Sequence, residues 1–251
     1  MEKLEYVERM GSNPPSSQSV LRYCYLCGKE LSIEEKTIED VIPRGLFVPE
    51  SLYSNRVRLT ACGSCNRKKG HDEEYVLSKI SIASFNDPAK RRAEKYLQRY
   101  KTSGKPALGI DLLKKHTPLR LATPGGIYLG QGPGIRLNKS DQERITSFFR
   151  RIFQGIWIKH VDQIVDWGLY DLETVQFEQA VQSSSFLRGK DFSEIWKSPH
   201  GFGQSWAGVI SYRIIPLEDK IPVAACIGLI VIYSSFIGVC FFSKRGLDIF
   251  Q

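Results

Sequence analysis

The apolar positions of this chain follow two periods. From Ile145 they recur as Phe148, Phe149, Ile152, Phe153, Ile156 and Trp157, a 3.6-residue stripe that predicts one long amphipathic helix. Ser140-Asp141-Gln142-Glu143 stands before it as a capping-box pattern. A second helix is expected from Asp87-Pro88, an N-cap followed by proline, to about Tyr100. Its Ala89, Ala93, Tyr96, Leu97 and Tyr100 share an apolar stripe, and Lys90, Arg91, Arg92, Lys95, Arg99 and Lys101 cover much of the rest. A third is expected from Ser64 to about Ala83. Arg22–Thr60 reads as short strands and loops broken by Gly28, Pro43, Gly45 and Pro49, and 173–181 and 206–215 read as strands. Ile221 to Phe242 is 22 residues without a charge, followed by Lys244 and Arg245. That length can span a bilayer. Isoleucine and valine dominate it, and Tyr233-Ser234-Ser235-Phe236 can turn the chain, so a buried β-hairpin is the preferred reading and a membrane partner is not expected.

The expected class is therefore α+β. Thr102 to Asn138 is rich in glycine and proline and holds the expected domain boundary. Residues 1–20 read as a flexible lead-in, 21–84 as a cysteine-bearing domain, 85–104 as a basic connecting helix, and 105–251 as a C-terminal α+β domain without a catalytic motif. The turn-rich stretch Gly125–Gly134 lacks the spacing of a P-loop or a dinucleotide-binding fingerprint. A homo-oligomer formed through the C-terminal domain is left open.

Composition narrows the class. The chain has 251 residues, 42% apolar and 25% charged, which excludes a wholly disordered or fibrous protein. Six cysteines are too few for a disulfide scaffold. The first 20 residues have no apolar secretory core, so a cytoplasmic location with reduced cysteines is expected. The net charge of +8 is uneven: residues 1–120 carry 22 basic and 15 acidic side chains, residues 121–251 carry 13 and 12. The excess in one half suggests a polyanionic partner.

That half also carries Cys24-x-x-Cys27 and Cys62-x-x-Cys65. Two residues between thiolates let both sulfurs reach one ion at about 2.3 Å, and two such pairs make a closed, structural Zn²⁺ site. Cys226 and Cys240 lie in apolar runs and read as core. Between Cys27 and Cys62 lie 34 residues, more than the 15–20 or so of an ordinary zinc ribbon. They contain Thr37-Ile38-Glu39-Asp40-Val41-Ile42-Pro43-Arg44-Gly45-Leu46-Phe47 and Asn55, and the second pair continues into Asn66-Arg67-Lys68-Lys69-Gly70-His71-Asp72-Glu73-Glu74-Tyr75.

This layout resembles the HNH endonucleases over roughly residues 22–76, about a fifth of the chain. The family pattern is Cys-x-x-Cys, an acidic-His-Val/Ile-x-Pro segment, an Asn, then Cys-x-x-Cys-Asn/His and a lysine-rich helix start. The resemblance implies a zinc-stapled ββα finger that hydrolyses nucleic-acid phosphodiester bonds with a catalytic Mg²⁺ or Mn²⁺. Carried over by position, Glu39 and Asn66 become ligands of that ion and Asn55 the amide that orients the base. Asp40 stands where the pattern has its catalytic histidine. Histidine suits a general base because its pKa near 6.5 lies close to working pH; a carboxylate is weaker, by about 10²–10³-fold if Brønsted dependence were full. Three readings stay open: an active site using Asp40 or the nearby His71, a natural finger that binds without cutting, and a deliberately inactivated chain.

Arg44, Arg56, Arg58, Arg67, Lys68 and Lys69 surround the same segment and are the expected phosphate contacts, with DNA the expected form of nucleic acid. Asp72, Glu73 and Glu74 read as a solvated acidic patch. Tyr96 and Tyr100 read as core rather than a base-stacking platform. His116, His160 and His200 belong to no motif.

Overall fold

The computed structural model describes residues 22–49, 54–84, 86–102, 114, 117–122, 128–132, 136–161, 170–176, 196–197, 201–206, 208–216, 225–234 and 236–244. Residues 1–20, His116, His200 and the stretch 177–181 lie outside the described residues. Strands β1 (Lys36–Asp40) and β2 (Arg58–Cys62) pair antiparallel, with Lys36 opposite Cys62 and Asp40 opposite Arg58. A 3₁₀ turn, Arg44–Leu46, lies between them. Helix α1 (Gly63–Ile82) leaves β2 directly, so the segment is a ββα unit. Helix α2 (Asp87–Thr102) follows, then a two-stranded ribbon of β3 (Leu119–Ala122) and β4 (Tyr128–Gly132). Helix α3 (Lys139–Val161) precedes an antiparallel sheet of β5 (Tyr170–Gln176), β6 (Phe202–Trp206), β7 (Ile210–Pro216), β8 (Ala225–Ile232) and β9 (Phe236–Lys244). The sheet order is β5-β9-β8-β7-β6. The α+β class expected from the sequence holds.

The described part of the apolar run 221–242 is a hairpin: β8 and β9 pair antiparallel on either side of Tyr233 and Ser234. No helix among the described residues is long and apolar enough to cross a membrane. Other boundaries differ from the sequence expectation, each for a local reason. The 206–215 stretch is two strands, because Gly208 takes a left-handed φ of +69° and reverses the chain. Strand β5 starts at Tyr170 because its register pairs Tyr170 with Lys244 and Gln176 with Gly238. The cap of α3 is Asn138: its Oδ1 accepts the Asp141 N–H at 2.8 Å, and its own N–H donates to Asp141 Oδ2 at 3.0 Å. This is a reciprocal capping box two residues before the Ser140–Glu143 pattern. The Tyr75 hydroxyl also donates to Asp141, and the Lys79 ammonium lies 3.6 Å away, so tertiary partners select it. Helix α2 is capped by Asn86, whose Oδ1 accepts the Ala89 N–H at 3.0 Å.

Helix α3 is the hub of the core. On one side Phe149 and Phe153 press on the sheet over Gly238 and Gly228, where a Cβ would come within 2.4 and 2.3 Å of the rings. On the other, Gly155 backs onto Val41 of the ββα unit, where a Cβ would meet Val41 Cγ1 at 2.4 Å. One buried apolar cluster thus runs from Cys24 through α3 to Phe242. The hairpin tip reaches the ββα unit as well. Tyr233 is fully buried with φ +53°, a costly conformation for a bulky residue. Its N–H donates to Val209 O and its hydroxyl to Leu46 O, both at 2.8 Å. Trp206 packs edge-on against Phe47 and donates from Nε1 to Ser54 O at 2.8 Å.

Gly155→Ala tests this close approach. Alanine is intrinsically better in a helix by about 1 kcal/mol. The clash with a fully buried, β-branched Val41 costs about 1–3 kcal/mol and outweighs that gain. The expected outcome is a lower midpoint in urea at an unchanged slope.

Candidate functional site

The first cysteine pair sits in a tight loop. The Tyr23–Glu30 bridge closes it, Gly28 turns it at φ +74°, and Cys24 O accepts the Gly28 N–H at 2.8 Å. The second pair spans the β2–α1 junction: Cys62 is the last residue of β2 and the cap of α1, and Cys65 lies in the helix's first turn. This brings Cys24, Cys27, Cys62 and Cys65 together, with ligand atoms within 4.8 Å of one another. A tetrahedral ion about 2.3 Å from each sulfur needs sulfurs about 3.8 Å apart, so the group can hold one metal ion. Among the described residues it is the one cluster of three or more His, Cys, Asp or Glu that can. Burial raises the Cys24 thiol. Burial works against the Cys62 thiolate too, but hydrogen bonds from Ser64, 3.2 Å away, and from Cys65 bring it down to about 6. Burial and the neighbouring Cys62 push Cys65 up. Cys62 caps α1, where the helix dipole favours a thiolate.

Strand alternation separates the two adjacent carboxylates of β1. Thr37 and Glu39 face α1: Asn66 Nδ2 donates to Thr37 Oγ1 at 3.3 Å, and Lys69 Nζ to Glu39 Oε1 at 2.9 Å. Lys69 is 1% exposed. Its ammonium also donates to Asp40 O at 2.7 Å and pairs with Glu73 at 2.9 Å, which satisfies its three donors. Burial raises the Glu73 carboxyl, against the opposing pull of Lys69. Asp40 faces the other way. Its side chain is 4% exposed and lies 2.5 Å from Arg44 Nε, 3.3 Å from Arg58 Nε and 4.0 Å from an Arg56 nitrogen.

No family model, curated protein or solved structure matches this chain.

The expected site residues are therefore brought together only in part. Glu39 and Asn66 both lie where β1 packs against α1, Asn66 bonded to Thr37 and Glu39 to Lys69. The pair does not suit a hard divalent cation, because the buried Lys69 ammonium already sits on the Glu39 carboxylate and would repel it. Asp40 is not aimed at Glu39 or Asn66 but at the arginines. Asn55 is exposed, in a left-handed turn at φ +50° before Arg56. His71 is exposed, and two residues along a helix carry it about 200° away from Lys69.

Arg44 and Arg58 are exposed, Arg56 is half-buried, and Arg67 and Lys68 are exposed at the start of α1. Lys69, grouped with them by sequence, is withdrawn from the surface by its three acceptors. The expected solvated acidic patch is instead a set of four ion pairs. Asp72 binds Arg144 at 3.0 Å and Arg151 at 2.9 Å, Glu73 binds Lys69, and Glu74 binds Arg99 at 3.1 Å. Burial would raise the Asp72 carboxyl, but the Arg151 and Arg144 guanidiniums hold it below its ordinary value. Two of these partners lie far off in sequence, which is why no local pattern announced them. The Lys69–Glu73 pair has the i, i+4 helical spacing and was visible. Tyr96 and Tyr100 are buried and stacked, as core. His160, half-buried, shares a 2.7 Å hydrogen bond with the Tyr212 hydroxyl and is held below its usual pKa by burial.

Lys69→Met leaves Glu39 and Glu73 facing each other without a cation. Removing one partner of a buried pair costs about 3–5 kcal/mol. Burial then raises the Glu73 carboxyl without the opposing pull of Lys69, so the folded state binds the extra proton and the variant's deficit shrinks as pH falls towards about 5. Urea midpoints of both proteins across that range give the measurement.

Proposed function

We propose that the protein is a zinc-stapled nucleic-acid-binding module that does not hydrolyse its ligand. The observation that carries this reading is the setting of Asp40. The HNH-like layout puts Asp40 where a general base would abstract a proton from water. A base must present a lone pair to that water. Asp40 is buried and ion-paired to arginines instead. Lys69 meanwhile holds Glu39, where the layout would have a metal ligand. Both halves of the chemistry that the resemblance implies, base and catalytic cation, are answered by fixed positive side chains.

What the same segment keeps is suited to binding. Four cysteine thiols favour Zn²⁺ over harder ions and close its coordination sphere, which makes the ion a structural staple. The staple joins the first loop to the β2–α1 junction, so the residues between them are carried on a braced unit. Arg44, Arg56, Arg58, Arg67 and Lys68 then present positive charge to phosphates, with affinity that falls steeply with salt. Duplex DNA is the expected ligand.

Three measurements test the reading. Metal analysis is expected to find one zinc per chain, lost in Cys62→Ser together with a cooperative melt. A labelled DNA duplex is expected to bind the wild-type protein more weakly as salt rises. Supercoiled plasmid with Mg²⁺ or Mn²⁺ is expected to stay intact with the wild-type protein and with Asp40→His, since Lys69 still occupies Glu39. Nicking by the wild-type protein, at a rate that follows the protein through purification, overturns the non-catalytic reading and restores the endonuclease one.

A further inference from the structure

We infer that the seam between α1 and α2 is a further duplex-binding surface, which carries the phosphate contacts of the ββα unit onward along α2. This rests on the nucleic-acid-binding reading above and gives that binding its extent.

Helix α2 folds back along α1. A Cβ on Gly45 would meet Leu77 Cδ1 and Arg92 Nη2, each at 2.9 Å, and Arg99 Nη1 pairs with Glu74 Oε1 at 3.1 Å. Residues 77 and 74 of α1 thus stand beside 92 and 99 of α2, so the two helices run antiparallel. Ala89, Tyr96 and Tyr100 are buried and fix the inner face of α2. A helix turns about 100° per residue, which divides the exposed side chains of α2 between two flanks. Arg91, Lys95 and Arg99 follow one another at steps of four on the flank whose edge meets Glu74. Lys90, Glu94 and Lys101 lie on the other flank, and Lys90 is paired with Asp87 at 3.7 Å. Among the described residues Glu74 is the one ion-pair partner of the Arg91–Arg99 stripe, so Arg91 and Lys95 offer their charge to solvent.

Helix α1 continues the track. Arg67 and His71 are exposed and share the stripe of Glu74, seven and three residues before it. Because the helices are antiparallel, the run from Arg91 to Arg99 and the run from Glu74 to Arg67 point the same way and follow end to end. At about 1.5 Å per residue the two together extend about 20 Å, the axial length of about six base pairs. A straight row of solvent-facing cations complements a stiff polyanion, and duplex DNA is the form of nucleic acid that the ββα unit is expected to bind.

Removing equal charge from opposite flanks of α2 tests the surface. Arg91→Gln with Lys95→Gln takes two cations from the seam, and Lys90→Gln with Lys101→Gln takes two from the far flank. Arg67→Gln with Lys68→Gln takes two from the start of α1. Fluorescence anisotropy with a 20-base-pair DNA duplex, repeated across a range of salt, gives the slope of log affinity against log salt. That slope is expected to become shallower by about two in the seam variant and in the Arg67/Lys68 variant, and to keep its wild-type value in the far-flank variant. All six side chains are exposed, so the three variants keep the wild-type fold, which the melting temperature of each full-length protein checks. A seam variant with the wild-type slope, or a far-flank variant that loses as much as the seam variant, overturns the α2 contact. If the Arg67/Lys68 variant still loses its share, the nucleic-acid reading stands without it. A wild-type protein with no salt-dependent affinity for the duplex overturns both.

Discussion

A buried ammonium organises the N-terminal unit. Removing the Lys69 charge from water is expensive unless every donor finds an acceptor. Glu39, Glu73 and the Asp40 carbonyl supply three, and they come from β1 and from α1 itself. The helix can satisfy its lysine only by lying along β1 in one register, with Asn66 beside Thr37. That register carries Cys65 to the other cysteines and turns His71 outward. The strand's alternation then leaves Asp40 on the far side, among arginines. Two neighbouring carboxylates thereby acquire unrelated surroundings, one a buried cation and the other a cluster of surface cations.

Much of this was legible. The three helices, the hairpin in 221–242 and the four-cysteine group follow from periodicity, turn chemistry and spacing, all of which are local. The α3 cap lies two residues before the Ser140–Glu143 pattern because the box is closed by Asn138 and Asp141, and Asp141 is selected by Tyr75 and Lys79 from α1. Lys69 looked like Arg67 and Lys68 because composition does not reveal which side of a helix faces inward. Placing it needed the partner strand. Asp72 looked solvated because Arg144 and Arg151 lie far along the chain. The signals that failed were those whose deciding partner is distant.

The composition divides the chain into a basic half and a neutral one, but the packing joins them. Val41 meets α3 at a glycine, Phe47 meets Trp206, and Tyr233 crosses from the hairpin tip to Leu46. Tyr233 holds a backbone conformation that tyrosine disfavours, and two hydrogen bonds and full burial compensate for it. The neutral half has no catalytic motif, yet it supplies the rigid backing for the loops that carry the arginines.

The lengths of the connections have a kinetic side. In the C-terminal sheet, β8 and β9 are separated by residues 233–235 and β6 and β7 by 207–209, so these pairings close short loops. Strands β1 and β2 are separated by residues 41–57, and the two cysteine pairs by a longer stretch still. Closing longer loops costs more entropy before any contact repays it. The β6–β7 and β8–β9 hairpins therefore close at less entropic cost than the β1–β2 pairing, while β5 reaches β9 across a longer stretch than either.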